Sequence, residues 1–71
     1  MKHIEYSYDL YDKTGRVKGG PLSEKHYNDV INSDLKLKKE WNTKFKSSTL
    51  YAREYDLEDG WILFIWKEVF D

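Results

Sequence analysis

Two histidines are the side chains of this sequence best suited to metal binding or acid–base catalysis. His3 and His26 are its only imidazoles, and no cysteine is present to supply a thiolate. A metal site would therefore need both histidines and a nearby carboxylate. One histidine starts a predicted strand and the other lies in the first turn of a predicted helix, which does not favour a shared site. We predict surface or partly packed histidines and no metal site.

A run of carboxylates forms a second group that could do chemistry. Glu54 and Asp56 are two positions apart, so on a strand their side chains share a face and lie about 7 Å apart. Paired carboxylates at that distance can exchange protons with a substrate or bind a divalent ion. Glu58 and Asp59 are typical of a turn. A solvated acidic strand that ends in a turn explains the whole run, and we favour that interpretation.

The segment TGRVKGGPLS, residues 14–23, places two basic residues and two glycines just before a predicted helix. Helix N-termini attract anions through free N–H groups and the helix dipole. The segment lacks the glycine and lysine spacing of a phosphate-binding loop, and two glycines that end a hairpin explain it without a ligand. We therefore predict no cofactor and no catalytic residue, and we expect that the protein is not an enzyme.

Composition limits the fold that positions these residues. A chain of 71 residues forms one domain, residues 1–71. Such a chain buries only about 60% of its unfolded surface, so packing of its aromatic residues must supply the stability. No apolar run approaches the ~20 residues of a membrane span, and residues 1–9 lack the apolar stretch of a signal peptide. These features indicate a cytoplasmic protein with no membrane partner.

Alternation of polar and apolar residues predicts a hairpin at the start of the chain. Residues 3–12 alternate over the whole segment, as a half-buried strand does. Lys13–Gly15 fits a three-residue loop in which the glycine takes the left-handed position. A short return strand at 16–18 then places Arg16 opposite Asp12.

A second hairpin joins residues 49–57 to residues 61–70, and its turn sets the register. A three-residue loop places Tyr55 opposite Leu63, whereas a two-residue turn places Tyr55 opposite Phe64. These registers differ by one residue, which exchanges the two faces of one strand relative to the other. We favour the three-residue loop.

Apolar residues between positions 24 and 46 fall within an arc of about 160° when they are placed at helical spacing. They are Tyr27, Val30, Ile31, Leu35, Leu37, Trp41 and Phe45. Ser23 is a good N-cap, so a helix should begin at Glu24. We predict one helix to about residue 46, kinked near residue 33. A break at 32–34, giving two helices, is the alternative.

The order of these elements predicts an α+β domain of the hairpin–helix–hairpin type, ββαββ. Its small antiparallel sheet carries one long or kinked amphipathic helix packed on one face. Residues 61–70 include apolar side chains on both faces, so this strand is placed in the centre, between 3–12 and 49–57. The helix covers one face of the sheet and leaves an apolar row on the other.

That uncovered face carries the main functional prediction. In the favoured register an apolar row runs along the last strand, between acidic side chains of its two neighbours. The candidate partner-binding residues are Ile62, Phe64, Trp66, Glu54, Asp56, Glu5 and Asp9. Aromatic residues dominate the energetics of protein interfaces, and acidic rims steer basic partners. We predict a non-enzymatic protein-interaction module that binds a basic, partly apolar protein surface.

Three alternatives stay open. The apolar row is covered by a loop or terminus of the same chain, or it packs against a second copy in a homodimer. In the third, a nucleic-acid-binding protein presents lysines from its helix to phosphates. Those lysines are Lys25, Lys36, Lys39 and Lys46. The single alanine and the preference for lysine over arginine suggest AT-rich coding DNA, which is common in phages and prophages.

Overall fold

The structure, a computed structural model, describes residues 2–71. Its elements are β1 (His3–Asp12), β2 (Gly15–Pro21), α1 (Glu24–Ile31), β3 (Lys36–Lys44), β4 (Ser48–Asp56), a 3₁₀ turn (Glu58–Gly60) and β5 (Ile62–Phe70). All five strands form one antiparallel sheet in the order β2-β1-β5-β4-β3. The prediction that the last strand is central, between the first strand and the strand at 49–57, is confirmed.

The first hairpin turns one residue earlier than predicted. Gly15 already pairs with Asp12, and Arg16 therefore lies opposite Tyr11 instead of Asp12. The Asp12 carboxylate organises the turn, because its Oδ1 accepts the N–H of Thr14 at 2.7 Å and the Thr14 hydroxyl at 2.6 Å. These short bonds favour a two-residue loop over the three-residue loop.

Helix α1 begins as predicted and ends after eight residues. The hydroxyl of Ser23 accepts the N–H of His26 at 3.1 Å, which caps the N-terminus. At the other end the Ser33 hydroxyl donates to the carbonyl of Val30 at 2.6 Å and accepts the N–H of Leu35 at 3.3 Å. In a continuing helix, the Val30 carbonyl and the Leu35 N–H would form backbone hydrogen bonds. Because the Ser33 side chain bonds both groups instead, the helix ends there.

The predicted ββαββ fold with a long amphipathic helix is wrong. Residues 36–44 form an edge strand, and the molecule is a mostly β, five-stranded antiparallel sheet with one short helix. Leu37, Trp41 and Phe45 are spaced by four residues, which fits a helix face and also one face of a strand. Pairing with β4 along its length decides between these two periodicities.

A bulge in β3 divides its apolar residues between the two faces of the sheet. The register with β4 shifts between Leu37 and Lys39. As a result Leu37 lies opposite Tyr55, on the face that carries α1, whereas Trp41 lies opposite Ala52, on the other face. An extra residue in one strand produces this exchange of faces. We call the face with α1 the front face and the opposite one the back face.

The second hairpin has the favoured register. Tyr55 pairs with Leu63, and the N–H of Leu57 donates to the carbonyl of Trp61 at 2.9 Å across the turn. Asp59 and Gly60 both have left-handed backbone angles, with φ of 60° and 77°. Such angles suit a glycine and are tolerated by aspartate, which explains why Glu58–Gly60 can close the loop.

The core lies between α1 and the front face. Tyr27 of α1, Tyr55 of β4 and Ile65 of β5 are its buried centre, and the rings of Tyr6 and Tyr27 lie 4.8 Å apart. The residues packed around them are Tyr6, Tyr8, Leu22, Val30, Ile31, Leu57 and Leu63. A helix of eight residues is only about 12 Å long, which is much shorter than the strands. Ile4, expected beneath the helix, is therefore 40% exposed.

Both sheet edges carry features that discourage pairing with another chain. β3 contains four lysines and a bulge, and β2 is short and contains glycine and proline. Charged side chains, bulges and proline are common means of blocking an edge strand. Over residues 2–71, no helix is sufficiently long and apolar to cross a membrane.

Candidate functional site

The back face brings the apolar row and its acidic neighbours together as the favoured register requires. Phe64 lies between Asp9 of β1 and Glu54 of β4, and Asp56 lies beside Ile62. Glu5 pairs with Glu68, one row beyond Trp66. The seven candidate residues named from the sequence thus share this face.

Four aromatic rings meet at the centre of the back face. We call Tyr11, Trp41, Phe64 and Trp66 the aromatic cluster. Phe64 and Trp66 are stacked, with ring centroids 5.6 Å apart and planes 12° apart. Trp41 meets both edge-on, at 6.4 Å and 6.0 Å, and Tyr11 meets Phe64 edge-on at 5.6 Å. Offset-stacked and edge-on contacts are favourable arrangements for aromatic pairs.

The cluster is half-buried by its own neighbours in the sheet. Ile62, Phe64 and Trp66 are each intermediate in exposure, as are Tyr11 and Trp41. Since α1 lies on the front face, the side chains that flank the row provide this partial cover. Two rings of the cluster, Tyr11 and Trp41, were not among the candidate residues, and Trp41 was placed in the front core by the predicted helix. The four-residue spacing of Leu37 and Trp41 fits a strand as well as a helix, but no local signal shows the bulge that turns Trp41 to the back face.

Asp9 fixes the orientation of Trp66. Its Oδ2 accepts the indole N–H of Trp66 at 3.0 Å, and its Oδ1 accepts the Nε–H of Arg16 at 2.8 Å. The ion pair lies directly over Gly19, where a Cβ would contact both the Arg16 guanidinium and the Asp9 carboxylate. The hydrogen bond that Arg16 donates to Asp9 raises the pKa of Arg16 above its ordinary value, which favours the charged guanidinium.

Cations from β3 modify the predicted acidic flank. Lys38 Nζ lies 3.6 Å from Glu54 Oε2, and only 15% of the Glu54 side chain is exposed. Lys39 places its ammonium 5.2 Å from the centre of the Trp41 ring. The side of the cluster next to β3 and β4 therefore carries paired charges, because the edge strand supplies lysines that the predicted fold had placed on a helix.

Two carboxylates stand together at the other end of the cluster. Glu5 and Glu68 lie directly opposite each other on neighbouring strands, one row from Trp66. Glu68 accepts the hydroxyl of Ser48 at 2.7 Å, and Glu5 lies 2.9 Å from the Nε2 of His3. Like charges directly opposite each other in a sheet are unfavourable. This acidic pair lies one row from the ring of Trp66.

The lysines named for nucleic-acid binding do not share one helix face. Lys25 is on α1 and pairs with Asp29 at 3.0 Å. Lys36 and Lys39 belong to the edge strand β3, and Lys46 lies in the turn after it. The prediction that one helix presents all four is wrong, because the second half of that helix is a strand.

The other groups considered for chemistry remain apart. His3 and His26 are exposed and occupy a strand and a helix. In residues 2–71, no three or more histidines and carboxylates are grouped so that they could hold a metal ion. Arg16, from the segment before the helix, is engaged by Asp9.

The back face therefore brings aromatic rings and carboxylates together on one surface. Its rings are oriented by hydrogen bonding and mutual stacking, and they remain partly open to solvent. The acidic pair beside them gives the surface a preferred sign of charge. Comparison with protein families, with characterised proteins and with solved structures finds no match to this chain.

Proposed function

We propose that this chain is a small protein-binding module whose back face holds a partner segment with an arginine or lysine among apolar residues. The observation that carries the proposal is the aromatic cluster, oriented by the bond from Trp66 to Asp9 and only half-buried. Rigid aromatic side chains provide much of the binding energy in protein interfaces.

Preorganisation supports this use of the cluster. Binding costs free energy when interface side chains lose rotamer freedom, and the cost falls when they are already held in place. Trp66 is held by its bond to Asp9 and by stacking on Phe64, and Trp41 packs edge-on against both rings. A partner's apolar side chain can therefore bury ring surface without first ordering it.

Charge supports the choice of a basic partner. Glu5 and Glu68 occupy directly opposite positions on β1 and β5, one row from Trp66. A cation between them offsets their repulsion, and the apolar stem of an arginine or lysine can lie along the indole ring. The same carboxylates repel phosphates, so the face favours a basic protein surface over nucleic acid.

Capture from a cell lysate tests the proposal when variants of the two faces are compared. Wild type should retain a partner that Phe64→Ser and Glu68→Lys both lose, since one change removes the ring stack and the other reverses a charge of the acidic pair. Ile4→Ser, at an exposed front-face position, is the control and should retain the partner. Retention that survives both back-face changes would contradict the proposal.

Two further measurements distinguish the alternatives. A dimer in sedimentation velocity that Phe64→Ser abolishes would assign the back face to a second copy of the chain. Retention on a heparin column at about 0.15 M salt, lost at higher salt, would support nucleic-acid binding. The proposal is supported if the protein is monomeric, is not retained on heparin, and binds a partner in a way that depends on Glu5 and Glu68.

A further inference from the structure

An open cleft of about 500 Å³ lies on the front face, beside the second half of α1. This volume is within the range of sites for small molecules. Its lining includes Tyr27 and Ile31 of α1 and three charged residues of the sheet. Those charged residues are Glu40, Arg53 and Lys67. The cleft is on the opposite side of the sheet from the stacked rings of Phe64 and Trp66, and Trp41 of the aromatic cluster is also among its lining residues.

Two cations of the cleft are neighbours on the same face of adjacent strands. Lys67 of β5 pairs with Tyr51 of β4, and Arg53, two positions further along β4, pairs with Ile65. Side chains in this diagonal relationship stand roughly 7 Å apart, within reach of one another when they are long. Both residues line the cleft, and two nearby cations favour an anion between them.

Only one carboxylate compensates these two cations. Arg53 Nε lies 3.2 Å from Glu40 Oε2, and its Nη1 donates to the hydroxyl of Tyr55 at 3.1 Å. Lys67 is half-buried, and none of the six ion pairs formed within residues 2–71 includes it. Lys67 thus supplies charge that its own surroundings do not neutralise.

Uncharged groups complete the site. Burial raises the pKa of the Tyr27 hydroxyl above its ordinary value, although the positive charge of Arg53 acts in the other direction. This hydroxyl therefore keeps its proton at neutral pH and can donate it to an acceptor. The rings of Tyr27 and Tyr51, together with Ile31, give the cleft an apolar wall.

We propose that this cleft binds a small ring-bearing molecule with one oxyanion, the oxyanion lying between Lys67 and Arg53. The ring packs against the tyrosines. A guanidinium presents parallel donors that suit either a carboxylate or a phosphate, and an ammonium contributes a point charge to both. This site does not depend on the function proposed for the back face.

A titration followed by amide chemical shifts tests the site with matched probes. Benzoate and phenyl phosphate share a ring and differ in the oxyanion, and benzamide is the neutral control. We expect saturable shifts at Tyr51, Arg53 and Lys67 with at least one oxyanion, at a Kd of about 1 mM or below. The oxyanion that binds more tightly identifies the ligand class. No saturation with either, or equal binding of benzamide, would overturn the proposal.

Two substitutions with opposite expected effects on the Kd of the oxyanion distinguish a role in binding from a structural role. Lys67→Gln should weaken the oxyanion about tenfold or more, because a charge-assisted contact is lost. Glu40→Gln should strengthen it about threefold, because a competing carboxylate is removed from Arg53. Lys39→Gln, on the back face, is the control and should leave the Kd unchanged. Should Lys67→Gln fail to fold, Glu40→Gln decides alone, and an unchanged or weaker Kd there overturns the proposal.

Discussion

Trp66 Nε1 donates a 3.0 Å hydrogen bond to Asp9 Oδ2, and these two residues are 57 positions apart in the chain. Asp9 also accepts a 2.8 Å bond from Arg16, so one carboxylate connects β2, β1 and β5. Hydrogen bonds to an ionised group are stronger than those between neutral groups. This carboxylate therefore stabilises the sheet and also orients the ring that the proposed function uses.

Removal of this carboxylate should destabilise the fold. We expect Asp9→Ala to lower the free energy of unfolding by about 1–3 kcal/mol, because the part-buried indole N–H loses its acceptor and Arg16 loses its partner. Asp56→Ala, on the same face, is the control and should cost under about 0.5 kcal/mol. Urea melts of both variants provide the measurement, and equal losses would show that the Asp9 bonds contribute little.

Position 19 should require a glycine, because the Arg16 guanidinium lies directly against it. A Cβ at Gly19 would meet the guanidinium and the Asp9 carboxylate, so Gly19→Ala should displace Arg16 and break the ion pair. Overpacking of this kind costs about 1–3 kcal/mol when a neighbour is forced to move. Unfolding melts compare Gly19→Ala with wild type.

A double-mutant cycle checks this mechanism. In the background of Arg16→Ala the displaced side chain is absent, so Gly19→Ala should cost clearly less than it does in wild type. Residues in contact are expected to show such non-additive effects. Equal costs in the two backgrounds would mean that the glycine is needed for backbone reasons alone.

The first turn should make a pH-dependent contribution to stability. Hydrogen bonds from the Thr14 hydroxyl and then its N–H lower the pKa of Asp12 below its ordinary value of 3.8. Because the folded-state pKa is the lower one, this contribution is present above the unfolded pKa and is lost as the pH falls through the folded pKa. In an NMR titration, Thr14→Val should raise the Asp12 pKa toward 3.8. Thr43→Val should leave it unchanged.

Part of the fold could be predicted from the sequence because the relevant signals are local. Alternation placed β1 and β4, an apolar run placed β5, the Ser23 cap placed the start of α1, and the loop at 58–60 gave the observed register. Because the faces of paired strands follow from register, the acidic residues beside Phe64 were also placed on the back face.

The rest of the fold, strand β3 and its bulge, depends on pairing with a neighbouring strand rather than on a local signal. A spacing of four residues does not distinguish a helix from a strand, and β3 forms because β4 is available as a partner. The bulge between Leu37 and Lys39 then determines that Trp41 faces the back. No local signal fixes that bulge, and the back-face site was therefore predicted without the ring of Trp41.

Amide hydrogen exchange distinguishes the observed edge strand from the predicted helix. In a helix nearly all amides of residues 37–44 would be protected, whereas an edge strand pairs on one side only. We therefore expect alternating fast and slow exchange along β3 and the slowest exchange in β5, which is paired on both sides. Uniform protection across residues 37–44 would contradict the strand.

Serine substitutions in β5 should separate the two faces of the sheet. Leu63 packs in the front core, and Leu63→Ser should cost about 3 kcal/mol or more and unfold much of so small a domain. Phe64→Ser should cost less, about 1–2 kcal/mol, because its half-buried ring lies on the back face, away from the buried core of Tyr27, Tyr55 and Ile65. Urea melts of the two variants, measured in parallel, give the comparison.

The same pair of variants links stability to the proposed function. If the aromatic cluster serves a partner, Phe64→Ser should remain folded and monomeric at moderate temperature while it loses binding. Trp66→Ser should behave similarly but cost more, because it also leaves Asp9 without its indole donor. A loss in Phe64→Ser as large as that in Leu63→Ser would show that the cluster is a second core. Its rings would then be explained by stability, and the proposal of a contact surface would have to be abandoned.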